Sequence, residues 1–158
     1  MAVNLAGLED NARKTAIEVL SARLSDSIAM LLALKQAHWN IKGPNFIAIH
    51  ELLDDVYERL EGHVDAMAER IQMLDGVAKG TAEHVSDASS IEAYPLDLTS
   101  SADHVKAVSE RMRDLGGKVR EGIEATESAG EADAADILTN LSRDLDQDLW
   151  FIQSHLDG

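Results

Sequence analysis

Apolar residues recur every three or four positions along four long stretches of the chain, and nowhere do they alternate over a length that would suit a strand. The first stretch predicts a helix over about 9–38, with Ala16, Leu20, Leu24, Ile28, Leu31 and Leu34 on its inward seam. The second, about 45–74, starts behind Gly43-Pro44, where a residue lacking an N–H suits a helix start, and its seam runs from Ile49 through Leu53, Val56, Leu60, Val64, Met67 and Ile71 to Leu74. The third, about 100–126, opens with a capping-box-like Ser100 and Asp103 and aligns Val105, Val108, Met112, Leu115, Val119 and Ile123. Gly116-Gly117 interrupts it, at a cost of up to about 1 kcal/mol per glycine relative to alanine, so either close packing or a kink is expected there. The fourth, about 131–156, follows Gly130 and aligns Ala134, Leu138, Leu141, Leu145, Leu149, Ile152 and Leu156.

Connection lengths then give topology. A few residues join the first helix to the second and the third to the fourth, so each pair is expected to be antiparallel. Between the second and third lies a long connection over 75–99, more than a loop normally runs without structure of its own, and about 82–92 is expected to form a short helix inside it. An all-α, ferritin-like four-helix bundle with one long crossover is the expected architecture, built from residues 1–158 as a single domain.

Composition agrees. Only 2 Pro and 4% aromatic residues among 158 disfavour a β-sandwich or barrel, and the absence of cysteine removes disulfides, thiolate zinc sites and cysteine nucleophiles. The longest apolar run, seven residues from Ile28 to Leu34, is far short of the roughly 20 needed to span a bilayer. With no basic or apolar leader at its start, the chain is expected to be cytoplasmic. Fourteen Lys and Arg against 29 Asp and Glu give a net charge of −15, which repels nucleic acid and anionic membranes and attracts cations.

His38, His50, Asp54, Asp65 and Glu69 form the chemical constellation, because imidazole plus carboxylate suits iron, zinc or manganese. Seven residues after Leu31, His38 lies near the inward seam of its helix. Measured around the second helix from His50, Asp54 falls at about 40°, Asp65 at about 60° and Glu69 at about 100°, whereas the apolar seam centres at about −80°. The four therefore share a face that is not the helix's own core face. His50 and Glu69 are about 28 Å apart along the axis, and Asp54 and Asp65 about 16 Å, so one ion cannot be held by all of them in one chain. Yet both pairs are centred on the point between residues 59 and 60. Two copies of the helix packed antiparallel about a two-fold there would bring His50 to the partner copy's carboxylate at position 69, and Asp54 to the one at 65, making two identical sites at once. Glu58 and Glu61 are centred on the same point, so four carboxylates would approach the axis and need cations or arginines between them. An intrachain di-iron site of the bundle type is excluded, because none of the six histidines has Glu three residues before it.

Ala37-His-Trp-Asn40, Gly43-Pro-Asn-Phe46, His50-Glu-Leu-Leu-Asp54 and His63-Val-Asp65-Ala-Met-Ala-Glu69-Arg70 resemble the Dps family, the mini-ferritins named for DNA binding in starved cells. The run from Asp136-Ile-Leu-Thr139 through Arg143-Asp-Leu-Asp146 to Leu149-Trp-Phe-Ile152 is similar to the family's last helix. The resemblance implies a homo-oligomeric shell of twelve subunits with ferroxidase sites at its two-folds, ligated by His38, His50, Asp54, Asp65 and Glu69. There Fe(II) would be oxidised, preferentially by hydrogen peroxide, and ferric mineral stored in the cavity; zinc is a possible competing occupant. Trp39 would sit near the iron or simply pack at a helix end, and Lys35 would form an ion pair near the site or lay its stem over the surface. Glu131, Asp133 and Asp136 would either just stabilise the start of their helix or also line an acidic pore that admits Fe(II). DNA binding, the family's namesake, is not expected: the segment before the first helix has no basic residue, Arg13 and Lys14 fall within the helix, and 154–158 is not basic. A DNA-compacting role with secondary iron chemistry is the alternative reading.

Overall fold

The computed structural model describes residues 5–156. Five helices follow in order: α1 (Asp10–Asn40), α2 (Phe46–Met73), α3 (Ala82–Ala88), α4 (Ser101–Ala129) and α5 (Ala132–Gln153), with no strand among the described residues. α1 packs on α2 and α4, α5 on α4 and α2, and α3 lies against α1. This is the expected ferritin-like bundle, with 74–100 as the crossover. The expectation that the chain ends carry no basic patch falls partly on residues 1–4 and 157–158, outside the described residues.

The helix ends have local causes. Ser100 accepts the Asp103 N–H at 3.1 Å and donates its hydroxyl to the Asp103 carboxylate at 2.7 Å, closing the start of α4. Thr81 caps α3 in the same way, accepting from the His84 N–H. Gly130 ends α4 at φ +89°, a left-handed backbone that favours glycine. α3 ends at Ala88, short of the expected 92, because the chain beyond it is pulled onto α1: buried Asp26 accepts the Ser90 N–H at 2.7 Å and the Ser89 and Ser90 hydroxyls at 3.2 and 3.1 Å. α5 ends at Gln153, which leaves Leu156 outside it and exposed.

One continuous core joins the four long helices. The expected seams of α2, α4 and α5 are buried nearly throughout, but α1 differs. Met30, Ala33 and Ala37 are buried beside the expected seam and Ile28 only partly, because α1 is flanked by α2, α3 and α4 and has almost no outer face along its middle. The close approach expected at Gly116-Gly117 lies elsewhere: a Cβ at Gly117 would meet nothing within 4 Å, whereas one at Gly122 would sit 2.9 Å from Val19 Cγ1 and 3.2 Å from Leu138 Cδ1. At Gly122 side chains of α1 and α5 press directly onto the backbone of α4.

Candidate metal centre

The short α1–α2 connection is fixed by backbone bonds to the start of α4, Lys42 N–H to Thr99 O at 3.1 Å and Ser101 N–H to Lys42 O at 2.8 Å. That fixed turn sets the end of α1 beside the start of α2 and brings His38 onto His50. Their rings stack with centroids 3.6 Å apart and planes 18° from parallel, and the Phe46 ring lies 5.1 Å from His50. Each ring reaches the other residue's backbone: His38 Nδ1 is 2.8 Å from His50 O, and His50 Nδ1 is 2.8 Å from His38 O. A carbonyl only accepts, so both Nδ1 atoms carry the proton and donate. In its neutral form each ring keeps its lone pair on Nε2, the atom a metal ion takes, oriented by the bond at the other nitrogen.

Asp54, one helical turn beyond His50, stands beside this pair, with Oδ1 3.6 Å from His38 Nδ1. The Lys35 ammonium donates to the same oxygen and also lies 4.7 Å from the centroid of the Tyr57 ring. The hydrogen bond from Lys35 holds the Asp54 carboxyl below the usual carboxylate range; burial works against it, and the nearby His38, Lys35 and His50 add to the lowering. Lys35 is thus in an ion pair with one candidate ligand. Trp39, next to His38, is 70% exposed, and Asp65 and Glu69 are exposed on α2, far along the axis from Asp54. Within one chain, among the described residues, no three His, Asp or Glu side chains converge closely enough to hold an ion. Glu58 and Glu61 are exposed on the same helix.

Further along, α2 is tied to α5 by charged pairs outside the expected constellation. Arg59 donates twice to buried Asp148, at 3.0 and 2.5 Å, and His63 Nε2 lies 2.6 Å from Asp144 Oδ2. Burial pushes the Asp148 carboxyl up while Arg59 restrains it, and Asp148 in turn raises the Arg59 guanidinium. A signal was present: positions 59 and 63 on α2 and 144 and 148 on α5 are each four apart, so complementary charges line facing stripes.

The three acids at the start of α5 are not equivalent. Glu131 is only 2% exposed; its carboxylate caps the helix at the Ala134 N–H and pairs with Arg70. Within the chain Glu131 therefore serves the start of its helix, the first of the two roles expected for these acids. Asp133, 3.1 Å from Arg70, and Asp136 are exposed.

A ferritin-like domain profile matches residues 17–158. The DNA protection during starvation protein of Agrobacterium fabrum is 43% identical over 94% of this chain and 92% of its own length. Among solved structures, Mycobacterium smegmatis Dps superposes with a TM-score of 0.93 at 28% identity, covering 100% of this chain and 90% of that one. DpsA14 from Streptomyces coelicolor does so with a TM-score of 0.91 at 32% identity, covering 96% and 90%. The stacked histidine pair and its carboxylate therefore stand on a bundle shared with these proteins, and the chain belongs to the Dps family of ferritin-like proteins.

Proposed function

We propose that this protein sequesters iron as a ferroxidase and so limits oxidative damage. The observation that carries the reading is the reciprocal His38–His50 pair: two imidazoles with their Nε2 lone pairs set free by Nδ1–carbonyl bonds, beside an ionised Asp54. This half-site supplies nitrogen and oxygen ligands but lacks further oxygens. Asp65 and Glu69, exposed and unconverged within the chain, supply them across a two-fold between antiparallel α2 helices. Imidazole retains Fe(II), and hard carboxylate oxygens favour the ferric product. Two ferrous ions each give up one electron, the O–O bond of hydrogen peroxide takes both and breaks to two hydroxides, and the ferric ions combine with these and with water to form mineral, releasing protons. Consuming Fe(II) and peroxide together removes the reactants that generate hydroxyl radical.

The assembly is a shell of twelve subunits built from such dimers, working in the cytoplasm; no helix among the described residues is long and apolar enough to cross a membrane. Asp133 and Asp136 are the exposed carboxylates that would draw Fe(II) inward, and Trp39, the exposed sequence neighbour of His38, would sit near the iron. Relatives carry DNA protection in their names. For this chain, at a net charge of −15, that protection comes through iron and peroxide chemistry rather than through phosphate contacts. Anaerobic Fe(II) loading followed by peroxide tests the reading. Ferric absorbance should rise quickly in the wild type and slowly in an Asp54→Ala/Glu69→Ala variant, and equal rates would contradict it. Zinc as the dominant metal in freshly purified protein would point to a structural assembly instead.

A further inference from the structure

Tyr94 and His104 form a hydrogen-bonded phenol–imidazole pair that the iron site does not use. His104 is 1% exposed, and its Nε2 is 3.0 Å from Leu98 O, which accepts only; Nε2 therefore carries the proton. That leaves Nδ1 as a base, 2.8 Å from the Tyr94 hydroxyl, which donates to it. Tyr94 is itself half-buried, and burial pushes its phenol well above the ordinary value, so it does not simply ionise. A phenol aimed at an imidazole base in a protected place is the arrangement that lets tyrosine lose an electron and a proton together.

Tyr94 lines an open groove of about 390 Å³ together with Ala33 and Gln36 of α1. Gln36 lies two residues before His38, so Tyr94 shares this groove with the last turns of the helix that carries the first candidate ligand. The other tyrosine, Tyr57, lacks both features. The Lys35 ammonium lies 4.7 Å from its ring centroid and opposes a ring cation, and among the described residues its hydroxyl has no acceptor.

We propose that Tyr94 is a one-electron donor to the iron site, with His104 Nδ1 receiving its phenolic proton. The inference rests on the ferroxidase reading above. Peroxide takes two electrons and a ferrous ion gives one, so a site holding a single iron when peroxide arrives leaves one oxidising equivalent over. Iron supplies the first electron and Tyr94 the second. The O–O bond breaks, two protons from solvent complete two waters, and the products are Fe(III), a neutral tyrosyl radical and a protonated His104. The ring's charge does not change, so the Arg111 guanidinium 5.1 Å from its centroid does not oppose the step. Burial makes the imidazolium a poor resting state, so the proton returns when the next ferrous ion at the site gives its electron to the radical.

The test loads the assembled protein anaerobically with fewer ferrous ions than sites, adds peroxide, and follows ferric absorbance and freeze-quenched electron paramagnetic resonance together. The wild type should form ferric iron and a tyrosyl signal whose hyperfine pattern collapses when the tyrosines are ring-deuterated. Tyr57→Phe should keep that signal and Tyr94→Phe should lose it. His104→Gln should also lose it, because the amide oxygen accepts the hydroxyl bond but is not a base. Ferric product with no tyrosyl signal, or with a signal that survives Tyr94→Phe or resides on Trp39, overturns the inference and leaves the iron reading standing. No ferric product at all overturns both.

Discussion

Asp26 holds the crossover onto the bundle, and replacing it should free that segment by a calculable amount. Its carboxylate is 1% exposed, accepts the Ser90 N–H and two serine hydroxyls, and pairs with Arg23 at 2.8 Å. Removing one member of a buried charged pair costs about 3–5 kcal/mol. Arg23 keeps a second acceptor, Lys118 O at 3.0 Å, and is 13% exposed, which sets the cost for Asp26→Ala at the lower end, about 3 kcal/mol. The segment that loses its anchor is the chain just after α3, so the cost appears as local opening rather than global unfolding. At 1.4 kcal/mol per tenfold, hydrogen exchange at the Ser90 amide in the assembled protein should quicken by about a hundredfold. Asp26→Asn keeps an acceptor oxygen for Ser90 but loses the charge, and should quicken exchange by about tenfold. Unchanged exchange at Ser90, or equal acceleration across α2 and α5, would refute the assignment of Asp26 as a local anchor.

Two glycines of α4 should respond with opposite sign. Gly122→Ala places a methyl 2.9 Å from Val19 Cγ1 and should destabilise by about 1–3 kcal/mol, whereas Gly117→Ala meets nothing and should stabilise by about 0.5–1 kcal/mol, both read from thermal midpoints. Burial lowers the affinity of His104 for a proton in the folded chain, so the unfolded chain protonates first as pH falls. The contribution of His104 to stability is therefore complete above its ordinary pKa of about 6.5 and is lost as pH drops below it. The thermal midpoint should fall with pH in that window, and less steeply in His104→Gln; an equal slope would contradict the assignment.

The bundle was legible because α2, α4 and α5 each bury one stripe, and a stripe is what a three-to-four residue period records. α1 is less legible, since a helix flanked by three others buries residues around most of its circumference and periodicity fades. The end of α3 is hidden from the sequence because the helical pattern to residue 92 is overridden by distant Asp26, a contact that no local propensity encodes. At the site, His38, His50 and Asp54 could be grouped by helical geometry, but the reciprocal ring-to-carbonyl bonds that free Nε2 depend on the exact pitch of the turn between α1 and α2. Glu131 looked like its neighbours Asp133 and Asp136 in sequence, yet the cap and Arg70 turn it inward. The Tyr94–His104 pair joins the crossover to α4, and neither residue sits in a motif that announces the other.

Sharing of the site between two subunits is tested most directly by complementation. His50→Ala and Glu69→Ala variants are each assayed alone, then co-assembled in equal amounts. If the ligands come from opposite subunits, a mixed dimer regains one complete site and concentrates both defects in the other. Random pairing should then restore rapid peroxide-driven ferrous oxidation at about a quarter of the wild-type sites, while each variant alone stays slow. A co-assembled protein no faster than the mean of the two variants would contradict a site built across the two-fold.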